Sequence, residues 1–191
     1  SPHEPSSRCE SQSTRDARAM ASSTVASRSP ISALWAIEGP LVKRGGAPYG
    51  SNGEGRVPRD VLETDDSAWP IVVHRTVGIP SEAQVDRFIA RATEHLGRGE
   101  SYVVIFDNAM AGRATSYMRG RATAWLEEHG EALGKRCLGT ALVFRNAALR
   151  FVMSAVMLVV RHPVPIRVCR SMDEARAWSE EQLAEARRMV V

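Results

Sequence analysis

Lysine is nearly missing from this sequence: of 25 basic residues, only Lys43 and Lys135 are Lys. Arginines interleaved with glutamates read as solvated helix faces, and 25 basic residues against 22 acidic ones give no strong field of either sign. That balance weighs against nucleic acid as a partner. Cysteine is sparse, and Cys9, Cys137 and Cys169 have no CxxC or Cys/His spacing of the kind zinc requires. Cys137 and Cys169 fall inside apolar segments, where Cys behaves as a small buried hydrophobe; a disulfide between them would require neighbouring strands in register and is not expected. Such usage fits a reducing cytoplasm. Long apolar runs are also absent. The stretch Leu149–Val160 is interrupted by Arg150 and falls far short of the roughly 20 residues of a membrane span. No signal peptide is apparent: Ser1–Arg18 is charged without an apolar core, and Ile31–Ile37 is too short for that role. Met20 offers an alternative start, so residues 1–19 need not belong to the native protein.

Catalytic signatures are missing in the same way. No Gly-x-Ser-x-Gly elbow follows a strand. The glycine-rich stretch Gly45–Gly55 has no Gly-Lys-Ser/Thr ending, and Gly78-Ile79-Pro80-Ser81 has one glycine where a dinucleotide fingerprint needs three. His74, His95, His129 and His162 form no His-Glu-x-x-His pair, and Glu127 and Glu128 adjoin on a helix, pointing apart. His74 reads as a hydrogen-bonded interior or solvent-facing strand residue rather than a ligand, and His129 as helix packing. The expectation is a protein without enzymatic activity, cofactor or metal.

What is present divides near residue 60. Residues 1–59, rich in Ser, Gly, Pro and Arg, read as a disordered tail and linker that cannot bury enough apolar surface to offset chain entropy. Residues 60–188 are long enough for one core. The charge follows the same division, with 8 basic and 9 acidic residues before residue 68 and 17 and 13 after it.

From Trp69 onward a short apolar strand, a turn and an amphipathic helix recur. This is the pattern of an α/β domain with a mostly parallel sheet. Val61-Leu62-Glu63 suggests a short edge strand, and Ile71–Val77 is the first firm strand, ended by Gly78 and Pro80. Ser81-Glu82-Ala83-Gln84 is a capping box opening a helix whose inner face is Val85, Phe88, Ile89, Ala92 and Leu96. Tyr102–Phe106 reads as a central strand ending at Asp107-Asn108, with a loop through Gly112. Met118, Ala122, Trp125, Leu126, His129 and Leu133 mark a second helix stopped by Gly134. Cys137–Phe144 is a third parallel strand, Asn146 caps a third helix through about Leu158, and Ile166–Cys169 is an alternating edge strand. Ser171-Met172-Asp173-Glu174 reads as a second capping box, before a helix turned inward by Ala175, Trp178, Gln182 and Ala186.

Ligands of parallel sheets bind beyond the carboxyl ends of the strands. That rule selects Gly78-Ile79-Pro80, Asp107–Thr115, Arg145-Asn146 and Arg170-Ser171, of which Asp107-Asn108 with Arg113 is the most polar. Arg113, Arg119, Arg121, Arg145 and Arg150 would make an anion site if they converged there, although a solvated helix face is the simpler reading. The third helix is apolar nearly all round, so its surplus surface is expected beneath the final helix and the tail, or else at a homodimer or partner interface.

Five segments carry a family likeness: Trp69-Pro70-Ile71-Val72-Val73; Ile105-Phe106-Asp107; Trp125-Leu126-Glu127-Glu128-His129; Leu142-Val143-Phe144 with Leu149-Arg150; and Glu174-Ala175-Arg176-Ala177-Trp178. In this order they resemble the bacterial STAS-type, SpoIIAA-like proteins, which are related in shape to CRAL-TRIO lipid-binding domains. The resemblance implies a βαβαβαβα domain with a mostly parallel sheet of four or five strands and a regulatory or protein-binding role. In the anti-sigma-factor antagonists of this fold, the strand-end Asp is followed by a Ser that a partner kinase phosphorylates. Asp107 matches the Asp, but Asn108-Ala109-Met110 stands where the Ser would be, and Thr115 and Ser116 come too late in the loop. The phosphorylation switch is therefore not carried over. The resulting expectation is a cytoplasmic interaction module that binds a protein partner, or a second copy of itself. It would do so through Asp107, Asn108, Arg113, Ser116 and Arg119, with Arg145, Asn146 and Arg150 at the next strand end. The alternatives are a domain for a lipid or small apolar ligand, suggested by the third helix, and an enzyme of unidentified type.

Overall fold

Five strands form one sheet in chain order: β1 (Val61–Asp65), β2 (Ile71–Gly78), β3 (Tyr102–Ala111), β4 (Cys137–Val143) and β5 (Ile166–Cys169). β1 runs antiparallel to β2, and every other neighbouring pair is parallel. The helices are α1 (Glu82–Gly97), α2 (Ser116–Arg136), α3 (Ala147–Val159) and α4 (Met172–Met189). This computed structural model describes residues 60–159 and 162–189; the tail expected over 1–59 lies outside the described residues. The α/β class with a mostly parallel sheet is the one the chain adopts.

Side chains alternate between the two faces of a strand. Ile71, Val73, Val103, Ile105, Ala141 and Val143 line one face and meet Ala175 and Trp178 of α4. Val72, Tyr102 and Val104 line the other and meet Leu133 of α2, with Leu96 of α1 and Trp125 and Leu126 of α2 packed alongside. Apolar side chains on both faces explain why the central strands read as unbroken apolar runs. Val72, Val103 and Ile105 are wholly buried, and each contributes about 1.5–3 kcal/mol of transfer free energy. Cys137 and Cys169 are buried free thiols in opposite layers, so no disulfide can join them.

Local signals held at α1. The Ser81 hydroxyl accepts from the Gln84 amide at 3.4 Å, and the Gln84 side chain accepts from the Ser81 amide at 2.8 Å, which completes the capping box. The second expected box is only half formed. The Ser171 hydroxyl accepts from the Glu174 amide at 3.2 Å, but the Glu174 carboxylate takes the Arg170 amide at 3.0 Å in place of that of Ser171. Gly134 does not stop α2, which runs on to Arg136 and passes directly into β4.

Two larger corrections bear on function. β3 does not end at Asp107. It continues to Ala111 because Met110 and Ala111 pair with Val77 and Gly78 across a register shift, a bulge that absorbs one extra residue. The surplus apolar face of α3 is also not covered by α4, which packs against β3, β4 and β5. Met153 is buried, whereas Phe151 is 76% and Leu158 89% exposed.

Candidate functional site

At the carboxyl end of the sheet, Gly78 leaves β2 at φ 62°, a left-handed conformation suited to glycine. Its carbonyl accepts from the Gly112 amide at 2.7 Å, which ties the exit of β2 to the exit of β3. Ile79 follows, 48% exposed despite its apolar side chain. The turn after β3 ends at Thr115, whose hydroxyl accepts from the Met118 amide at 3.1 Å and so caps α2. Between these loops lies a cavity of about 40 Å³ lined in part by Thr76, Asn108, Arg113 and Met118. It has room for a water or two. Beside it is an open depression of about 270 Å³ lined by Ile79, Arg113, Ala114, Thr115, Ser116 and Arg119.

The structure gathers Asn108, Arg113, Ser116 and Arg119 around this rim. Arg119 donates to the Ala114 carbonyl at 2.9 Å and to the Ser116 hydroxyl at 3.0 Å, so it braces the turn that precedes α2. Asp107 lines neither hollow. It sits within β3, 3.4 Å from the Arg75 guanidinium, and its carboxylate accepts from the Ala109 amide at 3.2 Å. Arg145, Asn146 and Arg150 are grouped at the end of β4. The Asn146 side chain caps α3 by accepting from the Leu149 amide at 3.1 Å, and Arg150 donates to the Phe144 and Arg145 carbonyls at 3.0 and 2.7 Å. The five arginines do not meet at one point, because Arg121 turns to Asp86 at 2.9 Å while Arg150 holds the end of β4.

Ile79 and Thr115 fell within the strand-end segments the sequence selected but were not among the residues named for partner binding. Thr115, a Thr just ahead of an apolar-periodic segment, carried a recognisable N-cap signal. Ile79 carried a weaker one, as an apolar residue held between Gly78 and Pro80.

A polar cluster at the opposite end of the sheet was missed altogether. Asp66, just after β1, receives Arg98 at 2.5 Å and Arg91 at 2.9 Å, with His95 at 3.3 Å. Burial alone would raise the Asp66 carboxyl, but the hydrogen bonds from Arg98 and His95 and the charges of Arg91 and Arg98 bring it below its usual range. His74 is buried with Nδ1 2.9 Å from the Thr64 hydroxyl, between the rings of Phe88 and Phe106. Burial, reinforced by nearby His95, pushes its pKa down to about 3. Burial also lowers the pKa of His95, against the pull of Asp66. His95 falls on the inner-face period of α1 beside Leu96, which was its signal in the sequence. Among the described residues, no three His, Cys, Asp or Glu side chains group as a metal site. Among them, too, no helix is long and apolar enough to cross a membrane.

Comparison with known proteins yields a fold. No family model and no curated protein matches the sequence. Among solved structures, the chain is similar to an uncharacterized protein of the DUF3478 family with a SpoIIAA-like fold from Shewanella loihica. The TM-score is 0.51 at 10% identity, over 67% of this chain and 99% of that one. The architecture is therefore SpoIIAA-like, the class that the sequence resemblance implied.

Proposed function

We infer that this chain is a non-enzymatic regulatory module of STAS type that binds a protein partner through the carboxyl rim of its sheet. The observation that carries the reading is Ile79. Its apolar side chain stands 48% exposed on loops pinned together by the Gly78–Gly112 hydrogen bond. Arg113 and Arg119 lie on the adjoining depression. An apolar anchor on a fixed backbone, rimmed by arginines, is the make-up of a protein contact. The bonds made by Asp107, Asn146, Arg150 and Arg119 support the same reading, since each holds backbone or a neighbouring side chain in place. The resemblance of the sequence to STAS-type proteins points the same way.

The test places a photo-crosslinking residue at Ile79 in the full chain, expressed in its native host, with Arg187 on α4 as the control position. The reading expects a discrete adduct with one protein at position 79 only. Arg113→Glu should reduce it at least tenfold in a variant that still unfolds cooperatively, whereas Arg187→Glu should leave it unchanged. Identical adducts at both positions, or indifference to Arg113→Glu, would overturn it.

A further inference from the structure

Asp and Glu are unevenly spread along this chain. None occurs between Asp107 and Glu127, and none between Glu131 and Asp173. Those two stretches hold the end of β3, the first half of α2, and all of β4, α3 and β5. The first turns of the helices follow the same division. α1 opens with Glu82, and α4 with Asp173 and Glu174, which suits the positive end of a helix. α2 and α3 open with no acid. Each carries an arginine at its fourth residue instead, Arg119 in α2 and Arg150 in α3. A cation there opposes the helix dipole, so the middle of the carboxyl rim is cationic at some cost in helix stability. The depression at the start of α2 agrees. Its polar side chains are Arg113, Thr115, Ser116 and Arg119, all of them donors, and no carboxylate among the described residues lines it. Asp107 is committed to Arg75, and Asp86 to Tyr117 and Arg121 at 2.8 and 2.9 Å. Ile79 on the wall of the depression is exposed and apolar, as is Met110, opposite Val77 in the paired strand.

We propose that the protein bound at this rim presents an acidic segment: an Asp or Glu enters the depression between Arg113 and Arg119, and an apolar neighbour covers Ile79. This rests on the reading of the rim as a protein contact and names the chemistry of its occupant. A carboxylate supplies the acceptors that a lining of donors lacks, and guanidinium groups take it through paired hydrogen bonds. A cationic rim and an acidic partner also steer one another into register. The apolar wall at Ile79, with no aromatic side chain in the lining, weighs against a nucleic acid strand, whose bases need a ring to stack on.

The test places the photo-crosslinking residue at Ile79 of the full chain in its native host and sequences the partner peptide linked to it. That peptide should carry Asp or Glu beside the linked position, and the adduct should fall at least tenfold as salt rises from roughly 50 to 500 mM. Ser116→Asp puts a carboxylate into the depression at a position where an acid suits the start of α2, so the fold should be no less stable. It should nonetheless give at least tenfold less adduct than Ser116→Asn, its uncharged counterpart. A linked peptide without acids, or equal yields from the two Ser116 variants, overturns the acidic partner and leaves the rim contact standing. An adduct abolished by nuclease overturns it in favour of nucleic acid. The absence of any adduct at position 79 removes the rim contact itself, and this proposal with it.

Discussion

Trp178 of α4 lies directly against the α-carbon of Gly139 in β4: a Cβ at that glycine would stand 2.6 Å from Cη2 of the indole. The glycine lets the largest side chain of α4 seat on the sheet, where it is only 9% exposed beside Ala141 and Val143. Gly139→Ala should therefore destabilise the fold by about 1–3 kcal/mol through overpacking. Trp178→Ala should cost about 3–5 kcal/mol. Urea unfolding of the double variant gives the check, since the alanine at 139 should cost almost nothing once the indole is gone. Additive losses would mean that the two residues do not share this contact.

His74 makes stability depend on pH. Its pKa in the fold is about 3, whereas the unfolded chain takes up that proton near 6.5. The contribution of neutral His74 is complete above about pH 6.5. It falls as pH drops toward 3, by about 1.4 kcal/mol per unit for one proton. Urea unfolding between pH 7.5 and 4.5 should show this decline, and His74→Phe should remove close to one proton from the slope. An unchanged slope would show that His74 is not the group responsible.

Asp66 holds the loop before β2 against α1 through Arg91, Arg98 and His95. Asp66→Asn leaves two guanidinium groups without their shared counter-charge and should cost about 1–3 kcal/mol. It should also lower the His95 pKa further, because Asp66 is what raises it. A His95 titration followed by NMR checks the sign. A rise would contradict the assigned contact.

Cys137 and Cys169 should be inert in the folded protein. Burial pushes both thiols up to about 11, which removes the reactive thiolate at ordinary pH. Peptide mapping after iodoacetamide treatment at pH 8 should find both unlabelled in the native state and labelled in urea. Native labelling of Cys137 would mean that the layer containing Val72 and Leu133 opens readily.

Legibility in the sequence followed distance along the chain. The cap at Ser81, the cap at Asn146 and the inner stripe of α1 were readable because each involves residues within a turn or two. The length of β3 was not, since Met110 and Ala111 become strand only by pairing with Val77 and Gly78. The candidate site divided the same way. Asn108, Arg113, Ser116 and Arg119 share the rim because they border one loop, whereas the partner of Asp107 is Arg75, 32 residues away. His95 showed its place through helical period, but its neighbour Asp66 lies 29 residues earlier, outside any local window.

The sequence by itself determined the elements, their order and the two-sided burial of the central strands, because hydrophobic period and capping chemistry act between near neighbours. Only the tertiary structure decided that α4 would pack on the sheet through Trp178 rather than over Phe151 and Leu158 of α3. It also decided that Asp107 would face Arg75 and that Asp66 would gather two guanidinium groups and the buried His95. Those outcomes depend on which distant segments the sheet brings side by side, and the pairing of strands sets that through contacts no local stretch of chain contains.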